Sequence, residues 1–175
     1  MKKLELITYG NPELQKPSAE VTRIDGEIRD MVADMLHTMY KEPGVGLAAP
    51  QIGDNRRLFV IGFEEGSAKI EMAIINPVIT EYFSPEAAFE EGCLSIPGII
   101  ATVVRPSGIQ LEGLDLNGEP LSIRAGGFLG RVIQHEYDHL QGTLFIDRLD
   151  SFEQERVKKA LAKLGKKNRK KLGMR

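Results

Sequence analysis

The stretch QHEYDHLQG, residues 134–142, carries His135-Glu136-x-x-His139. Two histidines four apart share one face of a helix. As neutral imidazoles they can take two corners of a tetrahedral metal site. Glu136 lies one residue on, about 100° around the helix. From there a carboxylate reaches a water at the ion without binding the ion itself, the position of a general base in hydrolysis. The alternative is a pair of hydrogen-bonded core histidines. Catalytic metal sites keep three protein ligands and one open position, so a third donor is needed. Asp147, Asp150 or Glu155 would complete a His₂–carboxylate protease site, and Cys93, in EEGCLSIPG (90–98), would complete a His₂Cys site. A thiolate is the metal-binding form of cysteine. An isolated cysteine is as readily a small buried hydrophobe, and the residues alone leave the choice open. No histidine follows His139, so the extended three-histidine protease pattern is absent.

The elements that must position these residues can be read from periodicity. GGFLGRVIQHEYDHLQ (126–141) reads as a helix, apolar at Phe128, Leu129, Val132, Ile133, Tyr137 and Leu140, with Gly142 as its stop. An earlier helix over 24–40 places Ile28, Met31, Val32, Met35, Leu36 and Met39 on one stripe and ends before Pro43. Its methionines are core packing rather than a cofactor box. A glycine-rich loop, KEPGVGLAAPQIGDN, follows. Strand-like runs come at 58–63, 73–80, 87–92, 99–104 and 108–115, and Asn117-Gly118 is a two-residue hairpin turn. Asp150 or Ser151 can cap a third helix, with Glu153 or Gln154 as box partner, and that helix should weaken at Gly165. The expected class is α+β: small mixed or antiparallel sheets packed around a central metal-binding helix, with an N-terminal and a C-terminal helix.

Length and composition bound the rest. A chain of 175 residues, 42 % apolar and 27 % charged, makes one ordinary globular domain. The start, MKKLELITYG, has no secretory apolar core, and no window of eighteen apolar residues exists. One cysteine forbids an internal disulfide. A cytoplasmic protein with no membrane partner is the expectation. Net charge is −2, but residues 156–175 hold ten Lys/Arg and no acid, leaving 23 − 10 = 13 bases against 25 acids in the rest. Such a basic tail suits a polyanion.

Read together, GVGLAAPQ (44–51), EGCLS (91–95) and HEYDH (135–139) resemble peptide deformylase in order and spacing, across most of residues 1–150. That family removes the N-terminal formyl group from the formyl-methionine of nascent polypeptides, giving formate and a free N-terminus. The resemblance implies Cys93, His135 and His139 as metal ligands and Glu136 as general base. It implies Gln51 and the Leu94 N–H as oxyanion donors. The cofactor it implies is Fe²⁺, with Ni²⁺, Co²⁺ or Zn²⁺ as substitutes. N-formylmethionyl peptides are the implied partners, and the ribosome is a partner through the basic C-terminal helix and tail. Val45, Gly46, Glu91, Gly92, Phe128 and Val132 are the expected substrate-binding residues, Phe89 a further wall. Ile100 stands where some members carry an arginine that contacts peptide. Asp138 is expected to orient a ligand histidine or to pair with an arginine such as Arg105. The chain divides into a catalytic domain, 1–150, and a C-terminal helix and basic tail, 151–175.

Overall fold

The structure is a computed structural model that describes residues 1–173. Met174 and Arg175, the end of the expected basic tail, lie outside the described residues. Helix α1 spans Gly26–Lys41 and is capped by Asp25, whose carboxylate accepts from the N–H groups of Glu27 and Ile28. Strands β1 (Gly46–Ala48), β2 (Leu58–Glu65), β3 (Ala68–Cys93), β4 (Ile96–Leu114) and β5 (Pro120–Gly126) follow. Then come α2 (Gly127–Leu140) and α3 (Ser151–Lys171). The strands form one sheet in the order β1-β2-β3-β4-β5, every pair antiparallel. The expected α+β class stands, with α2 central.

Two strand expectations change. The runs at 73–80 and 87–92 belong to one long strand, β3, and those at 99–104 and 108–115 to one strand, β4. Pro85 and Pro106 stand in the gaps between those runs, and both fall at the register shift between the pairs Phe83–Gly108 and Glu86–Pro106. A proline is tolerated at a bulge because the ladder there does not need its missing N–H. The bulges bend the strands without ending them. The hairpin at Asn117-Gly118 is present, but its loop is five residues, Asp115–Glu119. The Asp115 carboxylate accepts from the N–H groups of Asn117 and Glu119 and holds that loop.

The core lies on both sides of the sheet. α1 sets Ile28, Val32, Met35 and Met39 against Leu47, Leu58 and Val60. α2 sets Val132, Ile133 and Leu140 against Phe59, Ile61, Ile74 and Leu111. α3 lays Val157, Leu161 and Leu164 on Ile96, Ile99, Ala101 and Phe145. Its cap is Asp150, whose carboxylate accepts from the Glu153 N–H at 2.8 Å. Glu153 accepts from the Thr102 N–H, and Arg156 donates to the Ile100 carbonyl, so the first turns of α3 cover the free edge of β4. α3 does not weaken at Gly165. That glycine is buried, and a Cβ there would stand 3.2 Å from the Tyr9 ring, while Asn168 donates to the Tyr9 carbonyl at 2.8 Å. Gly165 is a point of close approach to the N-terminal segment, and the packing outweighs its helix propensity of about 1 kcal/mol.

Candidate metal centre and active site

β3 ends at Cys93 and β4 begins at Ile96, so Leu94-Ser95 is the two-residue turn between them. This turn faces α2. The Cys93 Sγ and one ring nitrogen from each of His135 and His139 lie within 4.8 Å of one another. Cys93 Sγ is 3.3 Å from His139 Nε2. In a tetrahedral site, bonds of about 2.0–2.3 Å put neighbouring donors roughly 3.5 Å apart, so these three can share one ion. One thiolate and two imidazoles suit borderline divalent metals. The carboxylates that sequence left open are engaged elsewhere. Asp147 accepts from the Leu144 N–H, Asp150 caps α3, and Glu155 pairs with Lys158 at the surface. Burial, aided by the nearby Arg105 charge, holds His139 well below the usual imidazole pKa, in the neutral form that a metal ligand requires.

α2 is buried nearly all round, so its polar residues need partners. His135 Nδ1 lies 2.9 Å from Glu91 Oε2, which leaves the other ring nitrogen toward Cys93. Arg105 grips Glu91 with a fork, Nε to Oε1 at 2.7 Å and Nη2 to Oε2 at 3.0 Å, and donates from Nη1 to Asp138 at 2.6 Å. The expected Arg105–Asp138 pair is therefore present. Burial alone would raise the Glu91 carboxyl pKa. The hydrogen bonds from His135 and Arg105 outweigh it and hold that carboxyl well below the usual range.

Glu136 is 4 % exposed. Its Oε2 is buried with no hydrogen-bond partner among the described residues. Burial pushes its pKa up from 4.5 to about 7. A buried, unengaged carboxyl of that pKa has the properties of a proton carrier near neutrality. Gly46 makes the space it occupies, because a Cβ at position 46 would overlap Glu136 Oε1. Gln51 is fixed by its own carbonyl, which accepts from the Ala48 N–H at 2.8 Å. Its amide nitrogen is thereby aimed at Cys93 Sγ, 3.4 Å away, and at Ser95 Oγ, 3.3 Å away.

These groups face a cleft of about 500 Å³. Val45, Gly46, Gly92, Leu94, Phe128 and Val132 line it, and His139 lies beneath. Phe128 packs edge-on against Phe63, with Phe89 and Ile100 exposed at the rim.

Comparison with known proteins decides what this arrangement belongs to. The family model described as polypeptide deformylase matches residues 3–155. The chain belongs to the peptide deformylase family. A peptide deformylase of Prochlorococcus marinus is 46 % identical over 167 residues, covering 95 % of this chain and 81 % of that one. A crystal structure of an Arabidopsis thaliana peptide deformylase superposes with a TM-score of 0.93 at 37 % identity, covering 98 % of this chain and 95 % of the other. That of a Synechococcus elongatus peptide deformylase in complex with actinonin gives 0.86 at 41 % identity, covering 94 % and 87 %. The deformylase reaction is a metal-dependent hydrolysis that releases the N-terminal formyl group of a polypeptide, and the chain is an enzyme of that class.

Glu91, expected on the substrate side, also borders the cleft. Its two oxygens are engaged by His135, Arg105 and Arg131, so in this structure it holds the His135 ring. The other expected residues converge on one cleft. Two residues escaped the sequence reading. Arg131 is buried in α2 and donates to Glu91 and to the carbonyls of Val103 and Ala87, tying the helix to both strands of the hairpin. Arg148 grips Asp138 through Nη2 at 2.6 Å and Nε at 3.1 Å. A buried cation one turn before a metal-binding motif was the available signal for Arg131, since arginine is almost never buried unless paired.

Proposed function

We propose that Cys93, His135 and His139 hold one Fe²⁺, and that Glu136, Gln51 and Leu94 carry the deformylation of N-formylmethionyl peptides. The observation that supports this best is the free, buried Glu136 oxygen beside three converging donors. A divalent ion held there would acidify a water and polarise the formyl carbonyl. Glu136 takes the proton as that water attacks the formyl carbon, and later returns it to the departing nitrogen. Burial raises the proton affinity of that carboxyl, which suits it to take a proton and return it. The Gln51 amide and the Leu94 N–H donate to the oxygen as it gains charge. Because the Ala48 N–H already fixes Gln51, little reorganisation remains at that moment.

Selectivity for formyl is steric in this reading. A formyl carbon bears only hydrogen, and Gly44 and Gly46 bring main chain against Leu94 and Glu136. An acetyl methyl would need the space those contacts leave filled. Val45, Phe128 and Val132 give the methionine side chain an apolar slot, with Gly92 at its edge. Glu91 supports from behind.

Residues 1–150 carry the chemistry, and residues 151–175 form the docking element. The buried face of α3 lies on the core while its lysines face outward, so the helix offers a positive stripe to ribosomal RNA in the cytoplasm. No described helix is long and apolar enough to cross a membrane.

The test is an anaerobic comparison of formyl-Met, acetyl-Met and unblocked peptides with the Fe²⁺-loaded protein, following formate and new amines. Turnover of the formyl peptide alone is expected. Equal turnover of the acetyl peptide would refute the steric account, and cleavage of internal bonds would point to a protease.

A further inference from the structure

The ion-pair chain behind His135 does not end at Asp138. It continues from Asp138, on α2, to Arg148, in the short 3₁₀ turn Phe145–Arg148, and stops there. Glu91, Arg105 and Asp138 along it are buried, whereas the Arg148 side chain is 49 % exposed. A second hollow of about 330 Å³, lined by Tyr82, Glu86, Arg105, Gln134, Asp138 and Arg148, opens this far end to solvent. One continuous set of contacts thus joins a surface arginine to a metal-facing histidine.

Asp138 couples the two ends. Its Oδ1 accepts from Arg148 alone among the described residues, and its Oδ2 is shared between Arg105 and Arg148. Removing Arg148 leaves a buried carboxylate with a single N–H donor, which is costly. The nearest relief is Arg105, whose guanidinium has further N–H groups. Arg105 holds Glu91 with a rigid planar fork. Any turn of that plane toward Asp138 pulls the fork off Glu91. Glu91 is the group that fixes His135 Nδ1.

We propose that Arg148 is a positioning residue for His135, setting the orientation of the metal-binding ring through Asp138, Arg105 and Glu91 from the surface. This rests on Cys93, His135 and His139 being the metal ligands. Arg148 acts on how tightly the ion is held, not on the proton steps.

The experiment loads the full chain with Ni²⁺ and follows its transfer to excess coloured chelator. Partners in direct contact with metal ligands are typically worth roughly 10–100-fold in affinity. Arg148 stands further out, so Arg148→Gln should release Ni²⁺ roughly 5-fold faster. Arg148→Lys keeps the charge without the fork and should fall between. Arg23→Gln removes the same charge from a side chain that is 83 % exposed, and should match the parent. An Arg148→Gln rate equal to the parent overturns the proposal. So does an Arg23→Gln rate as fast as that of Arg148→Gln. A parent chain that takes up no Ni²⁺ sinks the ligand assignment itself, a result distinct from either.

Discussion

The Glu136 carboxyl should cost the metal-free protein stability that a glutamine would not. Burial moves its pKa from 4.5 to about 7, so the folded state holds the proton over a range where the unfolded chain has lost it. Stability falls with pH wherever the folded state binds more protons. The contribution is therefore complete below pH 4.5 and is lost as pH rises to about 7. The gap is about 2.5 pH units, and at about 1.36 kcal/mol each the loss is about 3 kcal/mol. Glu136→Gln keeps the shape and removes the titration. Urea unfolding of chelator-treated protein at pH 5 and pH 8 isolates the difference, because every other ionisable group is common to both chains. Part of the loss has already occurred at pH 5, so the parent should lose about 2–3 kcal/mol more than the variant between the two pH values, which corresponds to roughly 4–12 °C in Tm for a chain of this size. Bound metal should shrink the gap, because its positive charge favours the carboxylate. Parallel curves for the two metal-free proteins would refute the reasoning and leave Glu136 without the buried, uncompensated character assigned to it.

Other outcomes follow from particular contacts. Gly46→Ala drives a methyl into Glu136 and should lower kcat by roughly 10²-fold, the low end for a displaced general base, with metal content by elemental analysis unchanged. Cys93→Ala removes one of three donors and should leave the purified chain without stoichiometric metal, whereas a carboxylate-ligand site would retain it. Arg105→Met strips the shared partner from Glu91 and Asp138, and should destabilise the fold by about 3–5 kcal/mol in urea unfolding. Deletion of residues 156–175 should weaken co-sedimentation with ribosomes at low salt, and equal pelleting would count against the basic helix as a docking element.

The histidine pair was legible because its geometry is local: four residues of helix dictate that His135 and His139 share a face. α1 and the Asp150 cap were legible for the same reason. Cys93 could not be tied to the histidines by spacing, since it stands 42 positions before His135 and three carboxylates competed for the place. Only the turn Leu94-Ser95, set by the β3–β4 register, brings it to α2. The long strands were hidden by prolines, which read as breaks but sit at bulges. Gly165 misled because glycine serves equally as a helix breaker and as a contact point, and only the docked Tyr9 tells them apart. Arg131 and Arg148 were missed because their acceptors lie on other elements or across a turn, and no periodicity marks such a pair. The ion-pair chain they complete is a property of the folded chain.

The central claim is that Glu136 moves the proton at a metal held by Cys93, His135 and His139. The most direct measurement is formate release from a formyl-methionyl peptide by the Fe²⁺-loaded parent and Glu136→Gln, under anaerobic conditions and at matched metal content. The account predicts that the variant binds metal fully and is slower by roughly 10²–10⁴-fold in kcat. Formate release by the variant at the parent's rate would contradict it.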